Sequence, residues 1–238
     1  MKRKLVISDI HGCFKEFVNL LEKVEYNSLE DQLLIIGDYV DRGPHSKEVV
    51  ERLISLRDGH GAIVLKGNHD QRLVDLVRDG SSSITEKFLA HGGKATVLSY
   101  LDCDYDENEV DAAMVKEAIA AINKHYRHHI EFLNSLPYYE EDCNHIYVHA
   151  GINPEYPDWK RQPTHDFLYL KEPFLSKPTV VGKTVIFGHT RTKDIHGVPD
   201  IWFGNGKIGI DGGCAFGMQL NALEIGIDGQ YRSYNIGK

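Results

Sequence analysis

Five short polar motifs carry most of the residues in this chain that could do chemistry. They are SDIHG (8–12), GDYVDRG (37–43), GNHD (67–70), VHAG (148–151) and FGHT (187–190). Each follows an apolar run of the kind that forms a buried strand. Burying an unpaired carboxylate is costly unless a partner or a metal ion compensates its charge. The charges in these motifs therefore predict that cations, a substrate or both complete the site.

The motifs supply a mixed set of nitrogen and oxygen donors without a thiolate. The set consists of Asp9, His11, Asp38, Asn68, His149 and His189. Such donors suit borderline divalent ions better than calcium, which prefers an all-oxygen shell. Six protein ligands are too many for one catalytic metal that must keep open positions, whereas two ions sharing a carboxylate fit. We therefore expect two divalent metal ions, with manganese as the first choice and iron or zinc as alternatives.

The hydrophobic pattern predicts the elements that place these motifs. Continuous apolar runs at 4–8, 33–36 and 62–66 predict buried strands, and helical spacing at 14–24 and 46–56 predicts two helices, the second with Ser46 as its N-cap. Residues 81–136 show helical patterns and predict an inserted helical cap, and strands return after Pro137 as a second sheet. Ligands of open α/β sheets bind beyond the carboxyl ends of strands, so the five loops can converge on one crevice.

Length and charge limit the class of protein. The chain has 238 residues and a net charge of −8, without a Lys/Arg block, so we expect no nucleic-acid or membrane partner. No apolar segment approaches the roughly 20 residues of a membrane span, and the four cysteines form no CxxC pair. These features predict a single domain over residues 1–238 and a cytoplasmic protein.

The five motifs, taken in order, resemble the phosphoprotein phosphatase branch of the calcineurin-like metallophosphoesterases. The signature of that branch is GDxHG, GDxVDRG and GNHE, followed by two separated histidine motifs. Ser8 replaces the usual first glycine and Asp70 replaces the glutamate. The small bacterial members, which this chain looks most like, include serine/threonine phosphatases and symmetrical diadenosine tetraphosphate hydrolases. The resemblance implies an α/β (α+β) four-layer fold with two mixed sheets flanked by helices and an inserted cap.

The resemblance also implies a role for each motif residue in metal binding. Asp9 and His11 would hold the first metal ion, and Asp38 would bridge both ions. Asn68, His149 and His189 would complete the second site. Water activated by the two ions would attack phosphorus in line, without a phosphoenzyme.

The remaining charged residues acquire catalytic roles from the same resemblance. His69 would be the general acid, Asp41 would orient its imidazole, and Arg42 would clamp the substrate phosphate together with Asn68. Relatives add a second arginine downstream of the first histidine motif, and in this chain Lys171 occupies the matching stretch FLYLKEPF (167–174). Lysine keeps the charge but loses the planar fork of arginine.

Three functions are compatible with these motifs. The first hypothesis is a serine/threonine protein phosphatase that acts on phosphoproteins. The alternative is a symmetrical bis(5'-nucleosyl)-tetraphosphatase that releases two ADP from diadenosine tetraphosphate, because a helical cap favours small substrates. The third is a binding module that keeps the fold without activity, and the complete ligand set together with His69 counts against it.

Two glycine-containing segments have an open interpretation. HGGKAT (91–96) and IDGGCAFG (210–217) either contribute to the pocket, the latter through Asp211, or form turns. For the second segment we favour the tight turn.

Overall fold

The structure is a computed structural model that describes residues 2–103 and 106–238, and it contains ten strands in that part of the chain. In chain order the strands are β1 (Arg3–Ile7), β2 (Asp31–Ile35), β3 (Ile63–Val64), β4 (Tyr139–Glu141), β5 (His145–Val148), β6 (Thr184–Phe187), β7 (Trp202–Gly204), β8 (Lys207–Gly209), β9 (Gln219–Ile225) and β10 (Tyr231–Gly237).

These strands form two mixed sheets of five strands each. The first has the order β10-β9-β1-β2-β3, with β1, β2 and β3 parallel and β9 antiparallel to both of its neighbours. The second has the order β4-β5-β6-β8-β7, with β5, β6 and β8 parallel and antiparallel edge strands. Side chains alternate along β1: Val6 packs in a cluster with Tyr147 and Ile186 of the second sheet, whereas Leu5 and Ile7 pack against helical residues. Two mixed sheets with flanking helices confirm the predicted fold class.

Nine α-helices surround the sheets in the described residues. They are α1 (Phe14–Lys23), α2 (Ser46–His60), α3 (Asn68–Arg78), α4 (Ser82–Phe88), α5 (Lys94–Leu101), α6 (Ala112–His125), α7 (Arg127–Ser135), α8 (Thr164–Tyr169) and α9 (Thr192–His196). The prediction that Ser46 caps α2 is wrong, because His45 is the N-cap. The Ser46 hydroxyl instead contacts the Asp41 amide and Thr96, which ties the start of α2 to the GDYVDRG loop.

The segment 81–136 is helical where the structure describes it, and Asp104 and Tyr105 lie outside the described residues. Its buried side chains, among them Phe88 and Leu133, belong to the same core cluster as Leu5 and Phe17 of the main body. The segment therefore packs on the α2/α3 side of the first sheet. Its role as a cap over the substrate stays a prediction.

The prediction that the strands after Pro137 form the second sheet is wrong for β9 and β10, which join the first sheet. Two edge strands, β4 and β10, were absent from the sequence prediction. β4 has only three residues and β10 carries mostly exposed or half-buried side chains, so neither shows a buried apolar pattern. Over residues 2–103 and 106–238, no helix combines the length and the apolar character that crossing a membrane requires.

Candidate metal and phosphate site

The five motifs lie at the carboxyl ends of β1, β2, β3, β5 and β6, as the sequence predicts. Backbone hydrogen bonds join neighbouring loops: the Asp9 amide donates to Gly37 O (3.0 Å), and the His11 amide donates to Asp38 O (3.0 Å). Across the two sheets, the His189 amide donates to the Asp9 carboxylate (3.0 Å to Oδ2). The six predicted metal ligands therefore converge at one place between the sheets, and all except the half-buried His189 are buried.

Two histidines face Asp38 in the orientation that metal ligands adopt. Nδ1 of His11 donates to Val40 O (2.8 Å) and Nδ1 of His149 donates to Ile36 O (3.0 Å). A backbone bond at Nδ1 fixes the tautomer and directs Nε2 toward a metal. The Nε2 atoms lie 3.4 Å from the two different carboxylate oxygens of Asp38. The donor set thus fits two ions with Asp38 between them.

Two groups of potential ligands share the Asp38 carboxylate. One consists of Asp38, His149 and His189, and the other of Asp38, His11 and His69. Asn68 Oδ1 lies 3.0 Å from His149 Nε2, so it belongs with the first group. His69, predicted as the general acid, is itself a member of the second group, so its ring lies close enough to Asp38 and His11 to share a metal ion with them.

Burial and the charges of neighbouring side chains set the pKa values of the histidines and carboxylates in the site. Burial and the neighbouring His69 hold the pKa of His11 well below its ordinary value, and burial and His149 lower the pKa of His189 to about 3. Burial also opposes a charged His149, but the Asp38 carboxylate outweighs it and raises the pKa of His149 to about 9. Although burial disfavours the Asp38 anion, His149 and His69 hold its pKa well below the usual range. His11 and His189 are therefore neutral at pH 7, as ligation requires.

The loop geometry requires uncommon backbone conformations. Six motif residues other than glycine have positive φ: Asp9, His11, Asp38, Asp41, Arg42 and His189, with values between 46° and 73°. Such conformations are disfavoured for residues with a Cβ and often mark functional sites. Gly67 is needed for close approach, because a Cβ there would lie 2.2 Å from the Asp38 amide nitrogen.

Asp70, which stands where the family has glutamate, anchors the loop that carries Asp38. Its carboxylate accepts hydrogen bonds from the amides of Asp38 (3.0 Å), Tyr39 (2.9 Å) and Gly67 (2.8 Å). The bond to Gly67 also satisfies a free N–H at the start of α3. The shorter aspartate thus supports both the loop of β2 and the helix that begins with Asn68.

His69 and Asp41 form the predicted pair. His69 Nδ1 lies 2.6 Å from Asp41 Oδ2, and both side chains are buried. The other oxygen of Asp41 accepts a bond from the Thr96 hydroxyl (2.7 Å), which fixes the carboxylate. His69 Nε2 faces the opposite way, 3.0 Å from Arg42 Nη2 and 3.2 Å from Arg72 Nη1. The imidazole therefore presents Nε2 toward cations that can hold a phosphate.

A cavity of about 280 Å³ opens above this cluster. Its lining includes Asp9, Asp38, Asn68, His69 and His189 together with four basic side chains, Arg42, Arg72, Lys171 and Arg191. Lys171, which occupies the sequence stretch matching the family's second arginine, thus lines the cavity. Cations grouped above a cluster of metal ligands are suited to a substrate that carries several phosphate charges.

The sequence profile of the calcineurin-like phosphoesterases matches residues 2–203. The chain belongs to this family. Membership means that this phosphoesterase is a metal-dependent hydrolase of phosphate compounds, and the two ligand groups around Asp38 are where its divalent metals fit.

Known proteins resemble the phosphoesterase over nearly its whole length. The asymmetrical bis(5'-nucleosyl)-tetraphosphatase PrpE of Anoxybacillus flavithermus is 28% identical over 92% of this chain and 88% of its own. The symmetrical bis(5'-nucleosyl)-tetraphosphatase of Buchnera aphidicola subsp. Acyrthosiphon pisum is 29% identical over 91% of this chain and 92% of its own. A serine/threonine phosphatase of Saccharomyces cerevisiae shares the fold, with a TM-score of 0.63 and 15% identity over 100% of this chain and 80% of its own.

Sequence reasoning missed several residues that line the phosphoesterase cavity. Arg72 and Arg191 were both overlooked, although Arg72 lies one helical turn after His69 and Arg191 lies two positions after His189. The two open segments also reach the cavity, through His91 from the first and through Asp211 and Phe216 from the second. The preference for a simple turn at 210–217 was therefore too narrow. No local pattern marks Phe216 as a cavity residue.

Proposed function

We propose that the phosphoesterase hydrolyses dinucleoside tetraphosphates. The observation that carries this proposal is the cavity in which four basic side chains, Arg42, Arg72, Lys171 and Arg191, surround the Asp38 cluster. A phosphoserine presents one phosphate of about −2 charge, whereas a tetraphosphate chain spreads its charge over four phosphates and needs cations at several points. The names of the two near-full-length relatives support the same substrate class.

The metal ligands in this proposal are those predicted from the motifs. Asp9, His11, Asp38, Asn68, His149 and His189 would hold two divalent ions, with manganese as the expected metal. Such ions stabilise developing charge on phosphate oxygens and lower the pKa of water. The Nε2 atoms of His11 and His149, which face the Asp38 carboxylate, and the low pKa of Asp38 support this assignment.

The other side chains orient the substrate and move a proton. Arg42 and Arg72 would hold phosphate oxygens beside His69, and Asn68 and Lys171 would add further contacts. His69 Nε2 would donate a proton to the leaving phosphate oxygen, while Asp41 holds the imidazole through Nδ1. Arg72 Nε is buried without a hydrogen-bond partner among the described residues, which supports a role in binding an anion.

A serine/threonine protein phosphatase is the second candidate. The observation that favours it is the motif set itself, which follows the order of the phosphoprotein phosphatase signature in all five motifs, with Ser8 and Asp70 as the two departures. Both candidates use the same metals and the same general acid, so they differ in substrate and not in mechanism. For either candidate we expect action in the cytoplasm of a bacterium, with no nucleic-acid or membrane partner.

One assay separates the candidates. The protein is incubated with manganese and either diadenosine tetraphosphate or a phosphoserine peptide, and the products are resolved by chromatography. We expect nucleotide products from diadenosine tetraphosphate at a much higher kcat/KM than phosphate release from the peptide. Two ADP would identify a symmetrical cut, and ATP with AMP an asymmetrical one. Faster turnover of the peptide would refute the proposal in favour of the protein phosphatase.

A further inference from the structure

Phe216 places an aromatic ring in a cavity whose other lining residues are charged, amide or histidine side chains. The ring is 49% exposed. A half-exposed phenylalanine at this cavity cannot itself bind metal or phosphate, because it offers neither a charge nor a hydrogen bond. Its position therefore needs a different explanation.

The local backbone holds Phe216 at the cavity and away from the core. A short turn, Cys214–Phe216, lies between Gly213 and Gly217, which both have left-handed backbone (φ 70° and 74°). Cys214 is part of the hydrophobic core and Ala215 packs against it. Phe216 is the next residue along this anchored turn and points its ring at the arginines instead. The turn thus presents the ring in a fixed place.

Two guanidinium groups lie over the Phe216 ring. The Arg191 guanidinium carbon is 4.4 Å from the ring centroid and that of Arg42 is 4.9 Å away, both within cation–π range. Arg191 Nε donates to Asp194 Oδ2 (2.9 Å), and in the described part of the chain the terminal nitrogens of Arg191 have no hydrogen-bond partner. A planar guanidinium and an aromatic ring are the two kinds of surface on which proteins stack nucleobases, and here they lie in contact with each other.

We propose that Phe216 and Arg191 form a platform for a nucleobase of the substrate, next to the phosphate held by Arg42. This proposal rests on the function proposed above and names the part of the site that selects a nucleotide over a phosphopeptide. A nucleoside is joined directly to the phosphate chain, so its base lies near the phosphate-binding arginines. The seryl side chain of a phosphopeptide has no planar group to place there.

The test compares substrates with and without a base. The variants are Phe216→Ala and Phe216→Trp, and the control is Phe203→Ala, which removes an equally exposed phenylalanine (50%) of β7 away from the cavity. For each protein, with manganese, one measures the KM for diadenosine tetraphosphate and the inhibition constant of inorganic tripolyphosphate, which has no base.

We expect Phe216→Ala to raise the KM for diadenosine tetraphosphate about 5- to 150-fold, the effect of losing one base–aromatic stack. The inhibition constant of tripolyphosphate should stay unchanged, Phe216→Trp should retain the KM, and Phe203→Ala should behave as wild type. An equal loss for tripolyphosphate would overturn the proposal, because the ring would then only position Arg42 and Arg191. An unchanged KM in Phe216→Ala would overturn it as well.

Failure of the proposed function would be visible separately. If the wild-type protein cleaves an aryl phosphate but not diadenosine tetraphosphate, the substrate assignment is wrong. The platform is then tested by inhibition of aryl phosphate hydrolysis with ADP and with pyrophosphate. A loss of ADP inhibition in Phe216→Ala, with pyrophosphate inhibition retained, supports the platform, and parallel changes for both inhibitors overturn it.

Discussion

Replacing His69 with asparagine tests whether this residue donates a proton or binds a metal. The structure is compatible with both roles. His69 lies in a ligand group with Asp38 and His11, which would suit metal binding, whereas its Nδ1 is hydrogen-bonded to Asp41 at 2.6 Å, which would suit proton transfer. We infer that the bond to Asp41 and the contacts of Nε2 with Arg42 and Arg72 assign it to proton transfer. Asparagine keeps a polar group of similar size and removes the titratable ring.

The expected magnitude follows from that assignment. A positioned general acid contributes about 10²- to 10⁴-fold, so His69→Asn should raise the activation barrier by roughly 3–5 kcal/mol. The loss should depend on the leaving group, since p-nitrophenolate is a weak base and needs less protonation than the more basic phenolate released from phenyl phosphate. We therefore expect a large fall in kcat for phenyl phosphate and a smaller one for p-nitrophenyl phosphate.

The assay combines steady-state kinetics with metal analysis by mass spectrometry. His69→Asn should keep its manganese, whereas Asp38→Asn should lose both manganese and activity, because both ligand groups share that carboxylate. His165→Asn, at an exposed histidine of α8, is the matched control and should behave as wild type. Equal metal loss in the His69 and Asp38 variants, or an equal fall in kcat for both leaving groups, would refute the assignment.

Three further predictions concern the metal loops and the fold. Gly67→Ala should abolish manganese binding measured by calorimetry, because the new Cβ would lie 2.2 Å from the Asp38 amide nitrogen; retained affinity would contradict the close approach. The pKa of His149 is raised to about 9, so a metal must displace its proton and manganese affinity should increase as pH rises toward 9. Calorimetry in buffers of different ionisation enthalpy should detect the released proton. A pH-independent affinity would contradict this prediction. Burial opposes the Asp142 anion, but bonds from Lys4, two backbone amides and Tyr147 lower its pKa. Asp142→Asn should therefore cost roughly 2 kcal/mol of unfolding free energy above pH 4, and the difference from wild type should shrink as acid protonates the native carboxylate.

Apolar periodicity predicted the elements that are buried and failed for those that are not. The runs at 4–8 and 33–36 became β1 and β2, which pack on both faces and therefore have continuous apolar sequences. β10 pairs with β9 along seven residues, but its side chains are largely exposed. Backbone hydrogen bonds to β9 hold this strand in place, and the apolar pattern of the sequence therefore does not predict it. Ser46 shows the same limit at a helix start, because its hydroxyl bonds to the distant Thr96 and not to its own helix.

The candidate site divides in a similar way. Residues in the motifs were predictable because each motif couples a strand end to a glycine turn and a charged side chain. Arg72 reaches the cavity from α3, and Arg191 reaches it from the turn before α9. In the sequence alone, a single arginine at such a position is typical of an exposed surface residue. Thr96 supports Asp41 from a helix 55 positions away, and the two meet because α5 packs on α2 and the Arg42 amide donates to Gly92 O just before α5. The roles assigned to the motif residues stay predictions until the variants are measured.

The left-handed backbone of the motif residues has a consequence for the protein without its metals. Each non-glycine residue in this conformation costs about 1–2 kcal/mol, a sizeable amount beside a total stability of roughly 5–15 kcal/mol for a domain. Asp9, His11, Asp38, Asp41, Arg42 and His189 all carry this cost on loops whose ends are fixed by the sheets. Bound cations would therefore stabilise these strained loops. After chelation of the metals, we expect the loop amides to exchange their hydrogens long before the amides of the strands beneath them.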